Sequence, residues 1–250
     1  MTQSQNLGPL VLAGSGEYTP TMDLADQFLL GLNGGRKVLV IATACAPEGD
    51  DVMTKWETMG QAHFRKFGVE ATPVRIRDQA EANIAAHAEQ IAEAGFVWFS
   101  GGRATYLAEA FHETACWRAL EAANRNGAIV AGSSGGLGVL NVHTHDPAIE
   151  GEQPPTGLGL ASPLRALPHF DRMEQRRPEF VERAISLVQS HQRVVGVDED
   201  TTIVWHDGEW RVVGHKRAVV YEPDGSRRIF HNGDRIDGLP HPERLKSATA

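Results

Sequence analysis

Short, almost wholly apolar runs that end in glycine or a small polar residue recur through the first half of this chain, each followed by a longer segment of helical character. That rhythm is the signature of βαβ units, and it constrains the chain to a mainly parallel sheet with helices on its faces. Pro9-Leu10-Val11-Leu12-Ala13 runs into Gly14-Ser15-Gly16, and Lys37-Val38-Leu39-Val40-Ile41-Ala42 into a loop around Pro47 and Gly49; both read as buried parallel strands. Over residues 50–67, Val52, Met53, Trp56, Met59, His63 and Phe67 fall at mixed three- and four-residue steps, which marks one helical face, and Gly68 supplies the stop. The same reading predicts a third strand over 71–76, a helix over 80–94, a fourth strand over 96–99, a helix over 105–124 and a central strand over 127–131.

Beyond that strand, residues 143–168 are rich in proline and glycine and read as a long excursion loop, the kind of segment that is often functional. The last third changes character, with a helix over 178–190 and then strands over 194–197, 201–205, 210–213 and 218–221, joined by turns such as Asp207-Gly208. No composition shift or repeat marks a linker in the 250 residues, so one domain over 1–250 is expected: a flavodoxin-like three-layer α/β sandwich with antiparallel C-terminal strands.

Composition narrows the function. A net charge of −8 argues against a surface built to neutralise many phosphates, so nucleic acid is not an expected partner. No apolar run approaches the length that spans a bilayer, and residues 1–6 lack the charged head and apolar stretch of a secretory signal. The two cysteines, Cys45 and Cys116, form no CxxC pair, which fits a reducing compartment. A cytoplasmic location follows as an expectation, with no metal or other cofactor.

The chemical centre is Gly132-Ser133-Ser134-Gly135-Gly136, a small-residue turn between an apolar strand and the apolar Leu137, Val139 and Leu140. Its frame is that of the G-x-S-x-G elbow, with Ser134 exposed at the tip. A serine alcohol is weakly nucleophilic at neutral pH and needs a base beside it and N–H donors facing the developing oxyanion. Glycines at 132 and 136 permit close packing and positive φ, and Gly135 lets its N–H point into the site. The same turn in other α/β chains binds a phosphate or simply turns, although the Gly-Lys-Ser/Thr ending of a phosphate loop is absent.

Four segments in order, Phe99-Ser100-Gly101-Gly102, Ala131-Gly132-Ser133-Ser134-Gly135-Gly136, Pro168-His169-Phe170 and Gly196-Val197-Asp198-Glu199-Asp200-Thr201, resemble the cyanophycinase and dipeptidase E (aspartyl dipeptidase) family of serine peptidases. The resemblance implies a class I glutamine amidotransferase-like fold with Ser134 in place of that fold's cysteine nucleophile, and an oxyanion hole made by the N–H groups of Gly102 and Gly135. Neither Cys45 nor Cys116 lies on an elbow, so thiolate chemistry on glutamine is not expected.

His169 matches the family's His-Phe motif and is the expected general base, with His143 and His145 as runners-up. A triad histidine needs a carboxylate on its second nitrogen. Glu199 is the choice; Asp198 and, between serine and histidine, Asp146, Glu150 and Glu152 are the alternatives. Arg172, Arg176 and Arg177 follow the base and are expected to hold a substrate carboxylate. Leu167-Pro168 and Arg103-Ala104 depart from the cyanophycinase pattern, which argues against cyanophycin itself. The expected activity is cofactor-free hydrolysis of a small peptide or isopeptide through an acyl-enzyme, with a second copy of the chain as an optional partner. The rivals are a non-catalytic amidotransferase-like binding domain and an α/β-hydrolase esterase, the latter disfavoured because its histidine comes late in the chain.

Overall fold

The computed structural model describes residues 7–141, 144, 157–187, 192–222 and 224–242. In chain order the first half contains β1 (Leu10–Ala13), α1 (Asp23–Asn33), β2 (Val38–Ile41), α2 (Asp50–Arg65), β3 (Ala71–Pro73), α3 (Ala85–Ala92), β4 (Phe96–Phe99), α4 (Ala104–Phe111), α5 (Ala115–Arg125), β5 (Ile129–Ser133) and α6 (Gly135–Leu140). The second half adds β6 (Leu164–Leu167), α7 (Phe170–Arg176), α8 (Pro178–Ser186), β7 (Arg193–Val197), β8 (Thr201–His206), β9 (Glu209–Gly214), β10 (Arg217–Tyr221) and β11 (Arg227–His231).

Among the described residues the strands form two sheets. The larger has the order β3-β2-β4-β5-β1-β8-β9, parallel from β3 to β1 and antiparallel through β8 and β9. Its core strands are buried on both faces, as the near-continuous apolar runs require. Strand alternation divides them: Leu10, Leu12, Val97 and Phe99 enter one apolar cluster, and Val11, Ala13, Phe96 and Trp98 another. α1 and α2 cover the second face through Leu29 and Phe64, while α3, α4 and α5 cover the first through Ile91, Leu107 and Leu120. This is the mixed α/β sandwich anticipated from the βαβ rhythm.

The C-terminal strands do not all extend that sheet. β8 and β9 do, but β7, β10 and β11 join β6 in a four-stranded sheet of order β11-β10-β7-β6. One face of this smaller sheet shares the first cluster through Val195 and Val220, and α7 and α8 cover the other through Phe170 and Val181. The anticipated excursion loop therefore ends in a buried strand, β6, paired in parallel with β7.

Three helices differ from expectation where the backbone interrupts apolar periodicity, and the one expected over 80–94 is α-helical only over α3 because Ile84 before it is extended at ψ +123°. The single helix expected over 105–124 is two, broken at Glu113, whose φ is +56°. Thr114 then caps α5, its Oγ1 accepting the Trp117 N–H at 3.2 Å. The helix expected from 178 is preceded by α7, and the two are separated at Arg177 because the residue before Pro178 is driven out of helical geometry, with φ −142°. Thr114→Ala is expected to cost about 1 kcal/mol by loss of that cap, read as a lower urea midpoint with an unchanged m-value.

Candidate active site

The turn after β1 anchors the site. Three consecutive carbonyls leave it in different directions: Ala13 O accepts the N–H of Ser134 at 3.1 Å, Gly14 O that of His169 at 3.1 Å, and Ser15 O that of Asp200 at 3.0 Å. Segments far apart in sequence thereby meet at the carboxyl edge of the larger sheet, where open α/β folds place their sites.

Ser134 stands between β5 and α6 with φ +52° and ψ −114°. The positive φ thus falls on the serine itself, whereas Gly132 and Gly136 provide close packing. Its Oγ lies 2.7 Å from His169 Nε2. His169, at φ +49°, opens α7, and its Nδ1 lies 2.7 Å from Glu199 Oε1. Glu199 follows β7, and its other oxygen, Oε2, receives Arg172 at 2.9 Å. Serine, histidine and carboxylate are in series, in the order in which a base is oriented and then charged. The carboxylate is 12% exposed and the imidazole 36%, so the base meets solvent while its partner is largely shielded.

Asp198, the nearest alternative acid, is buried and engaged by Arg217 Nε at 2.9 Å. His143, His145, Asp146, Glu150 and Glu152 lie outside the described residues.

In the loop after β4, Ser100 N–H is used by Ile41 O, Gly101 N–H by the Glu17 carboxylate and Arg103 N–H by Ala44 O. Gly102 N–H has no acceptor among the described residues, and neither has that of Gly135 at the start of α6. The two glycines touch: a Cβ on Gly135 would lie 2.0 Å from Gly102 O, so no other residue fits there without moving the loop. Two N–H groups without an acceptor among the described residues thus lie on touching glycines, one of them directly after Ser134.

Arg172, Arg176 and Arg177 do not act alike. Arg172 is tied to Glu199, while Arg176 at the end of α7 and Arg177 just past it are exposed with no side-chain partner among the described residues. Burial pushes the Cys45 thiol up to about 12 and that of Cys116 up to about 11, which disfavours a thiolate at either. Among the described residues no three His, Cys, Asp or Glu side chains are grouped so as to hold a metal ion, and no helix is long and apolar enough to cross a membrane.

Sequence reasoning did not single out Asp171, Lys216 or Glu17. Asp171 Oδ1 accepts the Glu199 N–H at 3.2 Å and its Oδ2 binds Lys216 Nζ at 2.7 Å, so α7 fixes the backbone of the acid as well as carrying Arg172. Asp171 lies in the first turn of α7, a helix that the sequence did not announce. Glu17 had a sequence signal, as an acid closing the Gly14-Ser15-Gly16 turn after an apolar strand.

An α/β fold with serine, histidine and carboxylate hydrogen-bonded in series is the arrangement of serine-type hydrolases. The chain belongs to peptidase family S51, the serine-type family of dipeptidase E and cyanophycinase, whose model matches residues 10–213. Among solved structures it is similar to a peptidase from an acI-B1 actinobacterium, with 26% identity, a TM-score of 0.83, and 94% of this chain and 98% of that one covered. A putative peptidase E protein from Listeria monocytogenes EGD-e shares the fold, with 16% identity, a TM-score of 0.61, and 84% and 100% covered. No curated protein matches the chain in sequence.

Burial raises the Asp171 carboxyl, but the bonds from Lys216 and from Glu199 N–H outweigh it and leave the group below its ordinary value of 3.8. A lowered carboxyl contributes stability that is present above the unfolded-state value and lost as the pH falls through the folded one. Asp171→Asn is therefore expected to be less stable than wild type at neutral pH, by about 1–2 kcal/mol. In urea titrations at successively lower pH the gap should close below 3.8; a gap independent of pH would contradict the assignment.

Proposed function

We propose that this chain hydrolyses a short peptide through an acyl-enzyme on Ser134, with His169 as general base and Glu199 orienting the imidazole. The observation that carries the reading is the unbroken series from Ser134 Oγ to His169 Nε2 and from His169 Nδ1 to Glu199 Oε1, each step 2.7 Å. His169 takes the serine proton as Oγ attacks the peptide carbonyl, and Glu199 stabilises the imidazolium that forms. The N–H groups of Gly102 and Gly135 receive the oxyanion. His169 then returns the proton to the leaving amine, and water enters with the same histidine as base to release the acid. The apolar cluster common to both sheets supports placing this activity in one domain over residues 1–250.

The substrate class follows from the free cations. Arg176 and Arg177, just beyond the base, have no side-chain partner among the described residues, in keeping with a peptide that carries a carboxylate, whereas Arg172 serves Glu199. Arg176→Ala or Arg177→Ala is expected to narrow the preference for an acidic over an amide side chain, by about 10²-fold in kcat/KM at a true anchor. Arg172→Ala should instead lower kcat equally for both peptides. Equal behaviour of all three variants would return the arginines to an ordinary solvated surface.

A fluorophosphonate probe tests the nucleophile. The intact protein is expected to form a stoichiometric adduct located to Ser134 by mass spectrometry, and Ser134→Ala to lose it while still melting cooperatively. His169→Ala should slow peptide hydrolysis by at least about 10⁴-fold. A folded wild type that forms no adduct would point to a binding domain without turnover.

A further inference from the structure

One buried carboxylate takes no part in the steps above. Glu17 is 4% exposed and lies just past β1. Its Oε1 accepts the N–H of Gly101 at 2.9 Å, and its Oε2 accepts the hydroxyl of Ser133. Gly101 immediately precedes Gly102, and Ser133 immediately precedes Ser134. A single side chain therefore grips the residue before the proposed oxyanion donor and the residue before the proposed nucleophile. The approach is tight: a Cβ on Gly101 would fall 2.7 Å from Glu17 Oε1 and 3.0 Å from Ser134 Cβ.

Burying a carboxylate is costly, and two hydrogen bonds offset that cost without making the group better for stability than a well-packed apolar one. What the carboxylate adds is a two-ended link of fixed length between the loop after β4 and the end of β5. The remaining contacts of the first loop are consistent with such a fixture. Tyr18 OH bonds Ser100 Oγ at 2.8 Å, and Cys45 Sγ donates to Gly101 O at 3.0 Å, so the loop is held on every side except at the Gly102 N–H.

We propose that Glu17 is a positioning residue that sets the separation between Ser134 Oγ and the Gly102 N–H, and so acts on the chemical step and not on substrate binding. The proposal rests on the reading of Ser134 and Gly102 given above. Its length matters more than its charge: glutamine keeps the reach, with an oxygen for Gly101 N–H and an amide nitrogen that can donate to Ser133 Oγ. Aspartate, one methylene shorter, cannot span both partners.

The experiment is the rate of Ser134 phosphonylation by a fluorophosphonate, resolved into kinact and KI, for wild type, Glu17→Gln, Glu17→Asp and Ser133→Ala. Each protein is first checked for cooperative melting. Glu17→Asp is expected to lose about 10²-fold in kinact, the scale of a displaced oxyanion donor, with KI unchanged. Glu17→Gln should stay within a few-fold of wild type. Ser133→Ala, which removes one grip and leaves the carboxylate, should lower kinact by itself. A merely structural acid would shift the melting temperature and leave kinact of the folded protein untouched. The proposal is overturned if Ser133→Ala reacts at the wild-type rate, whether or not Glu17→Asp folds. It is equally overturned if the losses lie in KI, or if Glu17→Gln is as slow as Glu17→Asp. A wild type labelled elsewhere than Ser134 would defeat the reading of the site and this inference with it, an outcome visible before any variant is made.

Discussion

The constraint on which the rest of this structure depends is the backbone of Ala13, Gly14 and Ser15. These residues have carbonyls bound to Ser134, to His169 and to Asp200 beside Glu199, and Gly14 N–H is in turn bound to Thr201 O. No side chain could substitute for Gly14, because a Cβ there would lie 2.1 Å from Asp198 O and 2.5 Å from Val197 O. Ser134, His169 and the segment of Glu199 thus share one reference point made of main chain.

The site is held against local backbone preference. Ser134 and His169 both carry positive φ, and such conformations cost about 1–3 kcal/mol each. Glu17 and Asp198 add buried carboxylates. The offset comes from outside the site, in apolar clusters on both faces of the larger sheet. Phe99, fully buried at the end of β4, packs edge-on against Phe111 of α4 at 5.3 Å and thereby seats the loop that carries Gly102. Core and site are linked through that ring: a rigid strand end is what allows a loop with a vacant N–H to stay in place.

Much of this was legible in the sequence because continuous apolar runs and glycine-bounded turns are local signals. β1, β2, β4 and β5, the elbow at Ser134, His169 and Glu199 were all marked by residues close together in the chain. What stayed hidden depends on long-range pairing or on single backbone angles. An apolar strand such as β10 does not declare whether it will join β9's sheet or β7's. α7 was masked because its first residues follow Pro168 and a left-handed His169, neither of which announces a helix. Glu17 was passed over because its partners, Gly101 and Ser133, lie far along the chain. The contact of Arg172 with Glu199, residues 27 positions apart, was not legible in one dimension.

The position of β1 between β5 and β8 bears on how the molecule comes into being. β1 is synthesised long before β8, its second neighbour. Pairings between such distant segments form slowly and late. Until β8 arrives, Ser15 has no Asp200 to receive and Gly14 has no Thr201 to bind, so the acid has not been brought to the histidine. Ser134 and His169 are both made before β8, so the series they form with Glu199 is assembled only when that strand pairs with β1.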